Sequence, residues 1–182
     1  MPNNLYQNSA LLIIDAQEKI IKPIKNNKSI IKNIKLLQNA YEILDKDIYI
    51  SEQIPSKLGK TIPELILLKK YKLFDKGDFS IWSNTNLKKE ISIKKINNLV
   101  VCGFETHICI QQSVIDLLFN NFKVYIAVDS MGSRNDFDHE IGIKRMSEEG
   151  AVIGTSESII FELCKTSIRE EFKSISNLIK NR

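Results

Sequence analysis

Histidine occurs only twice in these 182 residues, cysteine three times and proline four times. The cysteines, Cys102, Cys109 and Cys164, form no C-x-x-C pair and no Cys/His ligand spacing. Neither a disulfide framework nor a structural zinc site organises such a chain. Long hydrophobic runs are missing as well. The first apolar run, residues 10–14, stops at Asp15, too short for a membrane span or the apolar region of a signal peptide. A cytoplasmic protein with no membrane partner is the resulting expectation. Acidic charge is not in excess: 26 basic residues face 22 acidic ones, for a net charge of +4. Lys19, Lys22, Lys25, Lys28, Lys32 and Lys35 cluster early, but no aromatic residues interleave with them. A solvated helix face is therefore expected rather than a nucleic-acid surface.

What is present is an ordinary globular composition, 43% hydrophobic and 26% charged, at a length that suits a single domain over residues 1–182. Short apolar runs alternate with helical patterns. Strands are expected at 10–15, 47–53, 71–76, 97–104, 123–129 and 151–155. Helices are expected between them, over 30–44, from Pro63, and over 84–95, 105–120 and 136–149, with a helical tail. Strands alternating with helices imply a parallel sheet with right-handed crossovers, a three-layer doubly wound α/β domain with helices on both faces. Ligands bind such sheets beyond the carboxyl ends of the strands, where the strand order reverses.

That rule directs attention to Asp15, to Lys76 and to the turn between Phe104 and Cys109. Cys109 lies about one turn inside a helix that follows a strand. Unpaired N–H groups at a helix start favour a thiolate and can hold an oxyanion, although a buried cysteine also serves as a small packing residue. Asp15 could take the thiol's proton as a general base or simply cap a turn. Lys76 could balance that carboxylate or face solvent. Cys102, inside a strand, and Cys164, in a late helix, read as packing residues.

The segments "LLIIDAQ" (11–17), "KGDFS" (76–80) and "VVCGFETHICIQQSVIDLL" (100–118) together resemble the isochorismatase-like cysteine hydrolases. The similarity continues through "VDSMGSRNDFDHEIGIKRMSEEGAVIGTSESIIFELC" (128–164), so it spans about residues 10–165. The resemblance implies a six-stranded parallel sheet of order 3-2-1-4-5-6 and a catalytic triad of Asp15, Lys76 and Cys109. It also implies a non-proline cis peptide before Glu105, with backbone groups at Phe104, Glu105 and Cys109 forming the oxyanion site. Homo-oligomers are common among such domains.

Two departures narrow the expectation. Nicotinamidases of this superfamily hold a metal through an Asp-x-His pair and a further histidine, whereas "SEQIPSKLGKTIPEL" (51–65) has none, so no metal and no cofactor are expected. Isochorismatase proper does not need a cysteine nucleophile. Residues 51–65 instead resemble the subgroup of isochorismatase domain-containing proteins and YcaC-like hydrolases. The expected activity is cysteine-dependent hydrolysis of a small amide or related C–N bond through a thioester. The alternatives are a non-catalytic binding or scaffold protein, or a thiol sensor, that keeps the fold. Gln53, Trp82 and His107 are candidates for shaping a pocket for a small-molecule substrate. Core or interface packing is the commoner role for a tryptophan, and a capping or packing role is an equal alternative for His107. His139 is expected to be exposed and structural.

Overall fold

The structure is a computed structural model that describes residues 5–67 and 69–181. Six strands form one sheet: β1 (Ser9–Ile14), β2 (Asp47–Gln53), β3 (Lys72–Lys76), β4 (Asn98–Phe104), β5 (Lys123–Gly132) and β6 (Val152–Gly154). Every pairing is parallel and the order is β3-β2-β1-β4-β5-β6. The order reverses between β1 and β4, which opens a crevice at their carboxyl ends.

Alternation along β1 explains the three layers. Leu11 and Ile13 point into one apolar layer, where they meet Ile34, Leu37 and Tyr41 of α2 (Asn27–Ile43), Ile159 and Leu163 of α7 (Ser156–Cys164), and Ile175 of α8 (Phe172–Lys180). Ala10, Leu12 and Ile14 point the other way. They meet Leu87 and Ile91 of α4 (Thr85–Ile93), Val114 and Leu117 of α5 (Gln111–Phe119), and Met146 of α6 (Asp136–Glu148). A strand covered on both faces has no polar alternation, which is why residues 10–14 are all apolar. Cys102 and Cys164 are buried in the first layer, as packing residues.

Local chemistry starts several helices. Asn84 accepts from the Leu87 N–H at 2.9 Å, and Thr155 caps α7 through a reciprocal pair with Ser158. The early lysines lie exposed on α1 (Glu18–Ile21), on α2 and on the turn between them. Among the described residues no helix is long and apolar enough to cross a membrane.

Several expected boundaries differ. The helix expected from Pro63 is one 3-10 turn, Pro63–Leu65, and a short helix, α3 (Pro55–Leu58), precedes it. The strand β5 runs on to Gly132 because its register with β4 shifts between Val101 and Gly103. The helix expected over 105–120 is split: Thr106–Ile110 form a π-helical turn before α5 begins. Cys109 therefore lies in that wide turn, not inside an α-helix.

Candidate active site

Asp15 follows directly on β1 in a left-handed conformation, φ 49°, which aspartate tolerates better than most residues. Its side chain is fully buried. The register Ile14↔Ser51 places Ser51 beside it, and the Ser51 hydroxyl donates to Asp15 Oδ1 at 2.7 Å. Oδ2 lies 2.7 Å from the ammonium of Lys76, also fully buried, and accepts no other hydrogen bond among the described residues.

Lys76 ends β3, paired in register with Gln53 at the end of β2. Its ammonium donates to Gln53 Oε1 at 2.5 Å, to the Phe79 carbonyl at 2.9 Å and to the Asp78 carbonyl at 3.3 Å. Three acceptors and a carboxylate thus surround a cation that is fully withdrawn from water. Gln17, itself buried, ties the strand ends together. Its Oε1 accepts from the Gln53 N–H at 2.6 Å and its amide donates to the carbonyls of Gln53 and Gly59.

Cys109 comes from the far side of the crevice. The Phe104–Glu105 peptide at the end of β4 is cis, as the resemblance implied. The following π-helical turn is closed by Ile110 N–H donating to the Glu105 carbonyl at 3.2 Å. Ser113 Oγ donates to the Cys109 carbonyl at 2.6 Å and accepts from the Ile81 N–H at 3.0 Å. The thiol interacts with both Asp15 and Lys76. Burial first, then the charge of Asp15, push it up to about 12, against the lowering effect of Lys76. At rest it is a protonated thiol, 6% exposed.

This group opens onto a cavity of about 240 Å³. Cys109, Gln53, Ile108 and Phe79 line it, with Lys19, Glu105 and Arg134 among the charged residues of its wall. Gln53 lies in the wall of this cavity. Trp82 does not: it packs edge-on against Phe122, ring centroids 5.0 Å apart, in the second apolar layer. His107 does not either. Its side chain turns toward the segment between β5 and α6, where Nδ1 lies 2.8 Å from Ser133 Oγ. His139 is half-buried rather than exposed, with Nδ1 2.8 Å from Thr106 Oγ1. Desolvation lowers its pKa, with Asp136 and Glu140 opposing.

Sequence reading passed over Ser51, Gln17 and Arg134. Ser51 carried one signal, a polar residue in the buried second half of a strand, and Gln17 another, a polar residue just beyond an apolar strand. Arg134 carried none, because its role depends on a contact with Glu105, 29 residues away. Among the described residues no three His, Cys, Asp or Glu side chains cluster closely enough to hold a metal ion.

A doubly wound α/β domain with a cysteine, an aspartate and a lysine gathered at its switch point defines a recognisable class. The isochorismatase domain matches residues 9–158, and the chain belongs to that family of isochorismatase-like hydrolases. It is 33% identical over 181 residues to isochorismatase family protein 1B of Dictyostelium discoideum, covering 97% of this chain and 88% of that protein. It is 36% identical over 167 residues to isochorismatase domain-containing protein 1 of Salmo salar, covering 91% of this chain but 59% of that protein. Among solved structures, the MAR1 ribonuclease of Caenorhabditis elegans superimposes with a TM-score of 0.89 at 35% identity, over 96% of this chain and 91% of that one. The Escherichia coli YcaC product, an octameric hydrolase of unknown specificity, shares the fold at a TM-score of 0.82 and 18% identity, over 96% of this chain and 93% of that one.

Proposed function

We propose that this protein hydrolyses a small amide, or a related C–N bond, through a thioester on Cys109. The observation that carries the reading is the buried Asp15–Lys76 ion pair, 2.7 Å long, beside a thiol at the wall of a small cavity. Asp15 Oδ2 takes the thiol proton as the sulfur attacks the carbonyl carbon. A separated Cys109 thiolate beside an ionised Asp15 would place two anions together. Transfer of the proton onto Asp15 leaves only one, so the part of the raised pKa caused by Asp15 vanishes in the step that matters.

The C–S bond forms, and backbone N–H groups of the turn at Glu105 and Cys109 serve the oxyanion, with Lys76 nearby. Protonated Asp15 then gives its proton to the leaving nitrogen and the C–N bond breaks. Water attacks the thioester, Asp15 accepts the water's proton, and the acid leaves as the thiol is restored.

The cavity also weighs between readings. Phosphodiester cleavage, which the name of the C. elegans relative raises, needs room for a nucleotide. About 240 Å³ lies below the roughly 300–1,000 Å³ that holds drug-sized ligands. Redox-sensing cysteines are exposed and of low pKa, and Cys109 is neither. Exposed Phe119 and Phe137 support homo-oligomeric assembly.

The test is a panel of small primary amides, with ammonia release as the readout and denaturing mass spectrometry after rapid quench. Turnover with an acyl adduct on Cys109, lost in Cys109→Ala, is expected. Full activity in Cys109→Ala would sink the mechanism.

A further inference from the structure

The cavity wall carries an uneven set of charges. Lys19, Arg134 and Glu105 are the charged residues that line it, two cations and one anion. Glu105 is engaged: its Oε1 accepts from the Arg134 backbone N–H at 3.2 Å and from Nε at 2.9 Å. That contact uses one edge of the guanidinium. Among the described residues the Nη groups of Arg134 make no hydrogen bond or ion pair, and its side chain is 59% exposed. Lys19 donates to the Lys57 carbonyl at 2.7 Å and has no acidic partner among the described residues. The rim is therefore a guanidinium fixed by its Nε edge, with its remaining donors open, beside an ammonium that no carboxylate neutralises. A fork of parallel N–H donors matches a carboxylate in two hydrogen bonds. The same cavity is lined by apolar Ile20, Leu58, Phe79 and Ile108, which suits a short hydrocarbon spacer.

We infer that the site selects anionic amides: short chains whose carboxylate is received by Arg134 and Lys19 while the amide carbonyl reaches Cys109. This rests on the reading of Cys109 as the nucleophile, and it names the class of substrate that nucleophile meets. Neutral amides of the same shape enter but leave the two cations without a partner, and long or branched acids do not fit.

The test measures binding apart from turnover. Succinamate and succinamide are nearly isosteric, one anionic and one neutral. Calorimetry on Cys109→Ser, which cannot form the thioester, should show succinamate bound at least tenfold more tightly. The ratio should fall toward one in Arg134→Gln. It should also fall in Lys19→Gln, a change at an exposed position that keeps the question open should the arginine variant not fold. Equal affinity for the two compounds overturns the inference, as does a preference that survives both changes, or no binding of either at millimolar concentration. Preference without any turnover of amides by the unmodified protein would remove the hydrolase reading and leave the anion selection standing. Equal turnover of both compounds would do the reverse.

Discussion

Cys109 and Asp15 impose opposite demands on one proton. The thiol is held protonated by burial and by the carboxylate's charge, and that charge is itself held by Lys76 and Ser51. Replacing Asp15 with asparagine removes a cause that raises the thiol and keeps the one that lowers it. The sign is therefore downward: in Asp15→Asn, thiolate absorbance near 240 nm should appear at lower pH than in the native protein. Turnover should nevertheless fall by roughly 10²–10⁴, the usual loss when a general acid–base is removed. A thiol titration that stays put or moves up would show that Asp15 does not act on Cys109 electrostatically. Lys76→Met should cost about 3–5 kcal/mol, because it strands a fully buried carboxylate. Lys76→Met with Asp15→Asn should recover much of that in urea unfolding, and additive losses would contradict the pairing.

The elements that deliver these side chains cross at β1 and β4, and Gly103 shows how tightly. At φ +118°, a Cβ on Gly103 would lie 2.1 Å from the Ile14 carbonyl oxygen. Gly103→Ala should thus cost at least about 4 kcal/mol, read as loss of the soluble folded protein or a sharp fall in Tm. A variant as stable as the parent would mean the β1–β4 register is wrong. The π-helical turn after β4 is clamped by the segment between β5 and α6 and by the first turn of α6. Glu105 bonds Arg134, Thr106 bonds His139, and His107 bonds Ser133. Thr106→Val keeps the shape of the side chain but removes the oxygen that His139 meets, so Cys109 alkylation by iodoacetamide should change while Cys102 and Cys164 stay unlabelled. At this scale the sequence was partly legible. The strands could be placed because most buried parallel strands are continuous apolar runs, and Asp15, Lys76 and Cys109 stood out at or after strand ends. The strand order, by contrast, came from the family resemblance and not from the apolar pattern. Trp82 and His107 were misplaced because nearness along the chain does not say which side of a turn a side chain takes. The π-helical turn was invisible because residues 105–120 keep a helical apolar period while one carbonyl, that of Glu105, changes partner.

For the molecule as a whole, the same two apolar layers that build the sheet also bury five groups that ionise only at alkaline pH. Tyr41, Tyr49, Tyr125, Cys102 and Cys109 are all raised, with desolvation the largest cause for each. Unfolded, they lose protons near their ordinary values of 9.0 for cysteine and 10.0 for tyrosine. Folded, they hold them to higher pH, so above about pH 9 the native state binds more protons than the unfolded one and stability falls as pH rises. Their contribution is complete below pH 9. Each group that titrates only on unfolding adds up to about 1.4 kcal/mol of loss per pH unit within its window. Urea unfolding between pH 8 and 11 should therefore show a slope that steepens once the tyrosines join the cysteines. Tyr41→Phe deletes one of the five groups, at the expense of the 2.9 Å hydrogen bond with Ser9. Its absolute stability should drop at neutral pH, yet its slope above pH 10 should be shallower by about one proton. A slope that Tyr41→Phe leaves unchanged would show that Tyr41 reaches solvent in the folded state and that the layer between α2 and the sheet is looser than its packing implies.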